Sequence, residues 1–202
     1  MAKRGGATQA DVVIVDGENL SVQVRLAAVD RLTKAREKRL GLRVFTGKRS
    51  ASTSTSDFST ASLQQLVEQT CTLARAVVED EISGLPVAEE MAKEQPDLDL
   101  HDTTRLDTDR QIELARRAEV AAMAADERIT NSEGADFDSS SGRIVLANSH
   151  GFVGEYRSSS FSLSVSPIAV DPTTGAMQPD AWYGVQRKFR KLESPEAIGT
   201  EA

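Results

Sequence analysis

Leu20-Ser21-Val22-Gln23-Val24-Arg25-Leu26 alternates apolar and polar side chains without a break. Successive side chains of an extended strand point to opposite faces, so this pattern describes a strand buried on one face and wet on the other. Leu40, Leu42, Val44 and Thr46 repeat it against Gly41, Arg43 and Phe45, and Asp16-Gly17 and Gly47-Lys48 supply turn residues on either side. Ser50 to Ser56, built only of Ser, Ala and Thr, follows the second turn. A flexible linker is one reading of that run; its threonines and its place after a turn favour a polar edge strand. The first 56 residues therefore predict an antiparallel meander.

Beyond it the period changes. Leu63, Leu66, Val67, Thr70, Cys71, Ala74, Val77 and Val78 fall at helical spacing, with Ser59 or Thr60 as the cap. A second helix opens at Thr108-Asp109-Arg110-Gln111, a capping-box pattern with an acid in the first turn. Its inner face reads Ile112, Ala115, Ala118, Ala122 and Ala125, and so much alanine implies close packing against something flat, a sheet being the obvious candidate. An acidic, proline-marked loop from about Glu79 to Asp107 joins the two helices.

From Ile129 onward short alternating runs return: Ala135-Phe137-Ser139, Ile144-Leu146, Phe152 to Arg157, Phe161-Leu163-Val165 and Met177 to Val185. Gly142, Ser149-His150-Gly151 and Asp171 to Gly175 are read as the turns between them. The order strands, helix, helix, strands predicts an α+β fold. Its sheet is antiparallel, or mixed, made from the N-terminal meander and the C-terminal strands and packed by two central helices. Ser194-Pro195-Glu196-Ala197-Ile198 is a further helix start, with Ala202 about one turn on. So short a helix has no stability of its own, which suggests that the sequence holds only the first part of a longer protein.

Composition narrows the function classes. The chain has 202 residues, 39% hydrophobic and 27% charged, enough for a real core and unlike a collagen, a disulfide scaffold or a disordered tail. Its net charge of −7 is a poor basis for embracing a polyanion. The charge is uneven: +6 over residues 1–50, −12 over 51–136 and −1 over 137–202. Arg25, Arg31, Lys34, Arg36, Lys38, Arg39, Arg43, Lys48 and Arg49 carry the positive section, without aromatic residues to stack bases before Phe45. They read as a solvated strand face rather than a nucleic-acid patch. The longest aliphatic run, Val12 to Val15, is far too short to span a bilayer, and no export signal follows Lys3-Arg4. One cysteine, Cys71, excludes an internal disulfide; on an apolar helix stripe it reads as a small buried hydrophobe.

Catalytic patterns are missing. His101 precedes Asp102 and His150 precedes Gly151, so neither starts a His-Glu metalloprotease motif, and there is no Gly-x-Ser-x-Gly elbow, Walker loop or Rossmann fingerprint. Asp97, Asp99 and His101 would share one face of an extended segment and could hold a cation weakly; a solvated acidic loop is the competing reading. Asn131-Ser132-Glu133-Gly134 and Asn148-Ser149-His150-Gly151 share the form Asn-Ser-x-Gly seventeen residues apart. They read as paired turns, the alternative being loops that line a site. No catalytic and no metal-binding residue is assigned.

Several stretches in this order resemble the N-terminal domain of the TldD/PmbA family, also called modulators of DNA gyrase, and most of all its PmbA (TldE) branch. They are Leu42-Arg43-Val44-Phe45 through Lys48-Arg49 into Ser50 to Ser59, Pro96-Asp97-Leu98-Asp99-Leu100, Arg128 to Ala135, Asn148 to Phe152, and Ser194 to Gly199. Residues 1–10 are expected to be disordered; the resemblance, from about Asp11, implies the family's N-terminal α+β domain over 11–190, and over 191–202 the start of a linker or helix into a second half. It also implies cytoplasmic proteins about twice this length that work as dimers, pairing a TldD subunit with a PmbA/TldE one. In the family, a zinc His-Glu-x-x-x-His motif lies in the second half of the subunit that cleaves short or unfolded peptides, and the PmbA-type partner lacks it. The expectation is thus a substrate-enclosing, dimerising domain of a zinc metallopeptidase or of its non-catalytic partner subunit, inactive alone. It would bind neither nucleic acid nor membrane. The alternative is a peptide- or protein-binding module with no proteolysis. Ser52, Thr53 and Ser54 are the candidate peptide-binding residues, because a polar edge strand offers unpaired backbone groups to an extended chain.

Overall fold

Apolar alternation does become strand, in far longer pieces than the turn residues suggest. The computed structural model describes residues 1–202 and contains β1 (Gln9–Arg25), β2 (Ala28–Thr46), β3 (Arg49–Thr55), β4 (Ile129–Asn148), β5 (Val153–Val170), β6 (Met177–Pro179) and β7 (Trp182–Gln186). These make one seven-stranded sheet in the order β3-β2-β1-β4-β5-β6, with β7 also paired to β5. Pairing is antiparallel in β2–β3, β5–β6 and β5–β7. With the helices α1 (Thr60–Ala76), α2 (Thr108–Ala125) and α3 (Pro195–Glu201), the fold class is α+β.

Three expected turns are not turns. Asp16-Gly17 lies inside β1, and Asn131 to Gly134 and Gly142 lie inside β4. A Cβ at Gly142 would sit 3.4 Å from the Asp16 carbonyl oxygen and 3.5 Å from the Gly17 Cα, ordinary contacts, so the strand tolerates this glycine without requiring it. The β1–β2 turn falls instead at Leu26-Ala27, of which Leu26 is read above as strand; both residues have positive φ, 49° and 64°. Gly47-Lys48 is a turn as expected, with Gly47 at φ 60°.

The chain folds as two compact units, one of residues 1–17, 37–99 and 142–157, the other of 18–36, 100–141 and 158–202, so each long strand contributes to both. Nothing in the period or charge of the sequence marked this division of the expected domain over 11–190. In the first unit, α1 packs Leu66, Cys71 and Ala74 against Ala7, Ala10, Leu42 and Val44. Ser59 caps α1, its Oγ accepting the Ser62 N–H at 3.3 Å. The predicted stripe stops short: Val77 is the C-cap, and Val78 is 90% exposed. Residues 1–10, expected to be disordered, are ordered here. Ala2–Gly5 form a 3-10 turn, and Ala7 and Ala10 are buried because α1 gives them an apolar surface.

In the second unit, α2 and α3 share a core with Leu20, Val22, Val24, Ala135, Phe137, Phe161, Leu163 and Val165. The cap of α2 is Asp107, one residue before the predicted box, and its carboxylate accepts the Arg110 N–H at 2.7 Å. Its buried face is Gln111, Leu114, Ala115, Ala118, Glu119 and Ala122, whereas Ala125 is exposed and Ile112 only half-buried. Ala115, Ala118 and Ala122 are buried as expected, and the polar Gln111 and Glu119 are what an apolar count leaves out.

Candidate functional site

Edge strand β3 carries the three predicted peptide-binding residues side by side. Thr53 pairs with Leu42, Ser52 with Arg43 and Ser54 with Gly41, and β3 is the last strand of the sheet on that side. Ser52 and Ser54 are exposed, while Thr53 is half-buried and its hydroxyl meets that of Thr70 on α1. One face of β3 is thus covered by α1, and the other presents two serines. The N-terminal end of the strand is tethered to the acidic loop. The Lys48 carbonyl accepts the Asp80 N–H at 2.9 Å, Lys48 Nζ donates to the Ser83 carbonyl at 3.3 Å, and Arg49 pairs with Glu79. Beyond Ser50, no loop or side chain of the chain hydrogen-bonds the main chain of Ser52, Thr53 or Ser54 outside the ladder with β2.

A second open edge went unread in the sequence. Strand β3 covers only Leu40–Thr46 of β2, so the preceding residues from Ala28 have no strand on that side and are exposed throughout. Arg31, Lys34 and Arg36 lie there, the solvated strand face that the charge pattern suggested, together with Val29 and Leu32, each about half exposed. The tip of this hairpin is held from α2. The two carboxylate oxygens of Glu119, itself 2% exposed, accept the N–H groups of Leu26 at 2.8 Å and Ala27 at 2.9 Å. Arg25 Nε donates to the Ser132 carbonyl at 2.9 Å on the β4 side.

Asp136 sits beside this hairpin, its carboxylate accepting from Gln23 Nε2 at 3.3 Å and 3.8 Å from Arg31. Burial pushes its pKa above the usual carboxylate range, and Asp138 and Asp30 push the same way against Arg31 and Gln23. A carboxyl raised on folding contributes stability that is present below its unfolded pKa and lost as pH rises through the folded one. Asp136→Asn, which keeps an acceptor for Gln23, is therefore expected to melt slightly above the parent at pH 7. That difference should shrink at pH 4, as thermal denaturation at the two pH values would show.

The remaining predicted groups are structural. His150 Nδ1 lies 3.1 Å from the Pro86 carbonyl, and the Asn148 side chain accepts the His150 and Phe152 N–H groups, so this Asn-Ser-x-Gly segment is a turn that pins the acidic loop. In the other, Ser132 is buried and its Oγ accepts the Gly134 N–H at 2.9 Å. His101 Nε2 lies 3.4 Å from Ser141 Oγ. Asp97 accepts the Asp99 N–H, and Asp99 has φ 48°, so the stretch is not evenly extended and the proposed shared face with His101 is not formed. Cys71 is fully buried, its Sγ 3.1 Å from where a Cβ on Gly5 would lie. No group of three His, Cys, Asp or Glu side chains is placed to hold a metal ion, and no helix is long and apolar enough to cross a membrane.

Two family models match, the PmbA/TldA metallopeptidase domain 1 over residues 10–76 and the central domain over 101–202. The chain is 38% identical over 98% of its length to a metalloprotease PmbA homolog of Haemophilus influenzae and 35% identical over 98% to metalloprotease PmbA of Escherichia coli. It spans 44% and 43% of those relatives, somewhat under half of each. Among solved structures, a proposed modulator of DNA gyrase from Bacteroides thetaiotaomicron superimposes with TM-score 0.90 at 27% identity, covering the whole of this chain and 46% of that one. TldE of Thermococcus kodakarensis, at 14% identity and TM-score 0.80 over the whole of this chain and 44% of its own, shares the fold.

Proposed function

The chain belongs to the PmbA/TldD metallopeptidase family, and we propose that it serves as the substrate-enclosing, dimerising N-terminal part of a peptidase of that family or of its non-catalytic partner subunit. The observation that carries this is the paired family match at 35–38% identity across 98% of the chain. The metal that the family name implies does not fit the residues here. A catalytic zinc takes about three protein ligands, and no such group exists in this chain, so no catalytic step is assigned to it. Zinc would belong to the second half of the catalytic member, the partner would be a TldD-type subunit or a second copy, and the site of action would be the cytoplasm. Incubated with zinc and an unfolded peptide, the chain alone is expected to give no cleavage products by mass spectrometry. Turnover abolished by His101→Ala or His150→Ala would contradict this.

Capture of the peptide is assigned to the outer edge of β3. Main-chain pairing at a sheet edge is largely blind to side chains, which suits short or unfolded substrates. N–H groups alternate in direction along a strand, so those of Ser52 and Ser54 point one way and that of Thr53 the other. Proline at the outward position or positions should weaken peptide binding about tenfold in fluorescence anisotropy on the assembled full-length protein and leave it folded. At the inward ones it should break the ladder with β2 and lower stability. Affinity unchanged at all three positions, in folded and assembled protein, would place the docking site elsewhere.

A further inference from the structure

A cavity of about 240 Å³ opens beside the N-terminal half of α2, and neither the edge strands nor the family assignment uses it. Leu114, Leu163, Phe189 and Leu192 give it an apolar floor, with Phe189 stacked at a tilt on Phe161, ring centroids 5.5 Å apart. Its rim is cationic: Arg110 and Arg117 from α2 and Arg190 from the short turn before α3, against Glu193 on the same wall. Arg117 is already committed, its Nε and Nη2 meeting both carboxylate oxygens of Glu196 at 2.6 and 2.8 Å. The guanidinium groups of Arg110 and Arg190 have no ion pair or hydrogen bond within the chain. Arg110 also lies in the first turn of α2, where the helix dipole disfavours a cation and favours an anion.

An apolar floor under two unpaired guanidinium groups suits one ligand chemistry. A bare anion would leave the floor wet, and a neutral apolar group would leave the guanidinium forks unanswered; a carboxylate carried on an apolar body satisfies both. We infer that this cavity is a binding site for a small apolar carboxylate, its carboxyl group bridging Arg110 and Arg190 and its apolar body lying on Leu114, Phe189 and Leu192. The inference does not depend on the peptidase reading.

Titration of the isotopically labelled chain with 3-phenylpropionate, followed by amide and methyl chemical shifts, tests it. Saturable shifts are expected at Leu114, Leu163, Phe189 and Leu192. 3-Phenylpropanamide, which has the apolar body alone, and acetate and inorganic phosphate, which have the charge alone, should each bind at least tenfold more weakly. The double variant Arg110→Gln with Arg190→Gln should lose at least tenfold for 3-phenylpropionate. Both side chains are exposed and unpaired, so the fold should stand, and an unchanged spectrum elsewhere in the chain would show that it does. Equal binding of the amide, equal binding of phosphate, an undiminished affinity in the folded double variant, or no saturable shift at these residues would each overturn the inference.

Discussion

Alanine at Glu119 should destabilise the chain by about 2–3 kcal/mol, the larger part of it lost from the β1–β2 hairpin. Hydrogen bonds to a charged group contribute about 1.5–3 kcal/mol each, and the Glu119 carboxylate accepts two, from Leu26 and Ala27. Those two residues need the help. Both occupy the left-handed region without being glycine, asparagine or aspartate, at a cost of roughly 1–2 kcal/mol each. Leu26 is 54% exposed, so water can replace part of what the carboxylate gives, and this brings the expected loss to or just below the lower end of the sum. Glu119→Gln retains one acceptor oxygen and should fall between alanine and the parent.

A rescue separates this account from simple loss of packing at a buried position. Ala27→Gly removes the backbone strain at one of the two turn residues, so it should restore about 1 kcal/mol in the Glu119→Ala background. Urea unfolding would give the stabilities, and hydrogen exchange at the Leu26 and Ala27 amides would show whether the hairpin tip is what loosens. If glycine at position 27 restores nothing and those amides stay protected, the carboxylate is not what holds the turn.

This turn also shows how far the residues alone could be read. Alternation marks a part of every long strand, because burying one face of a sheet imposes period two on the residues that do it, and it fades where a strand such as the first half of β2 is exposed throughout. Leu26 continued the alternation and so was assigned to a strand; its turn is enforced by a carboxylate 93 positions away, which no local pattern encodes. Gly17 and Gly142 failed for the opposite reason. Glycine suits a turn and is also tolerated inside a paired strand, and only the neighbouring strand decides which. Helix α2 is placed to within a residue of its start and Ala115, Ala118 and Ala122 face the core as expected, but Gln111 and Glu119 escape an apolar reading because they are buried through partners on Leu106, Ser139 and the hairpin. The β3 residues were legible as an edge because Ser and Thr suit a strand with little to pack. The longer open edge of β2 was not, because it depends on where β3 stops pairing. The arginine rim of the α2 cavity was invisible as well, since Arg110 and Arg190 are 80 residues apart and meet only through the fold.

Gly199→Ala should be among the most damaging single substitutions in the chain, at about 3 kcal/mol or more, although alanine is the better helix former. Within an exposed helix that exchange stabilises by roughly 1 kcal/mol, so the two effects have opposite signs and the outcome decides between them. Geometry favours the loss. A Cβ on Gly199 would lie 2.3 Å from the Ala118 carbonyl oxygen, 2.7 Å from the Ala121 Cβ and 2.9 Å from the Ala122 nitrogen. These are backbone atoms and a methyl carbon of α2, which cannot swing aside as the end of a flexible side chain could. Helix α3 must therefore lift off, and with seven residues it holds no shape of its own. Lifting it withdraws Ile198, fully buried in the core of that unit, and full burial of such a side chain stabilises by about 1.5–3 kcal/mol. Thr200→Ala, one residue on and exposed, should change stability by less than about 0.5 kcal/mol and serves as the control. Thermal and urea unfolding of the two variants gives the comparison. Methyl shifts of Ile198 report whether α3 has left its seat, and a stabilised Gly199→Ala would mean that α3 does not rest on α2 in solution.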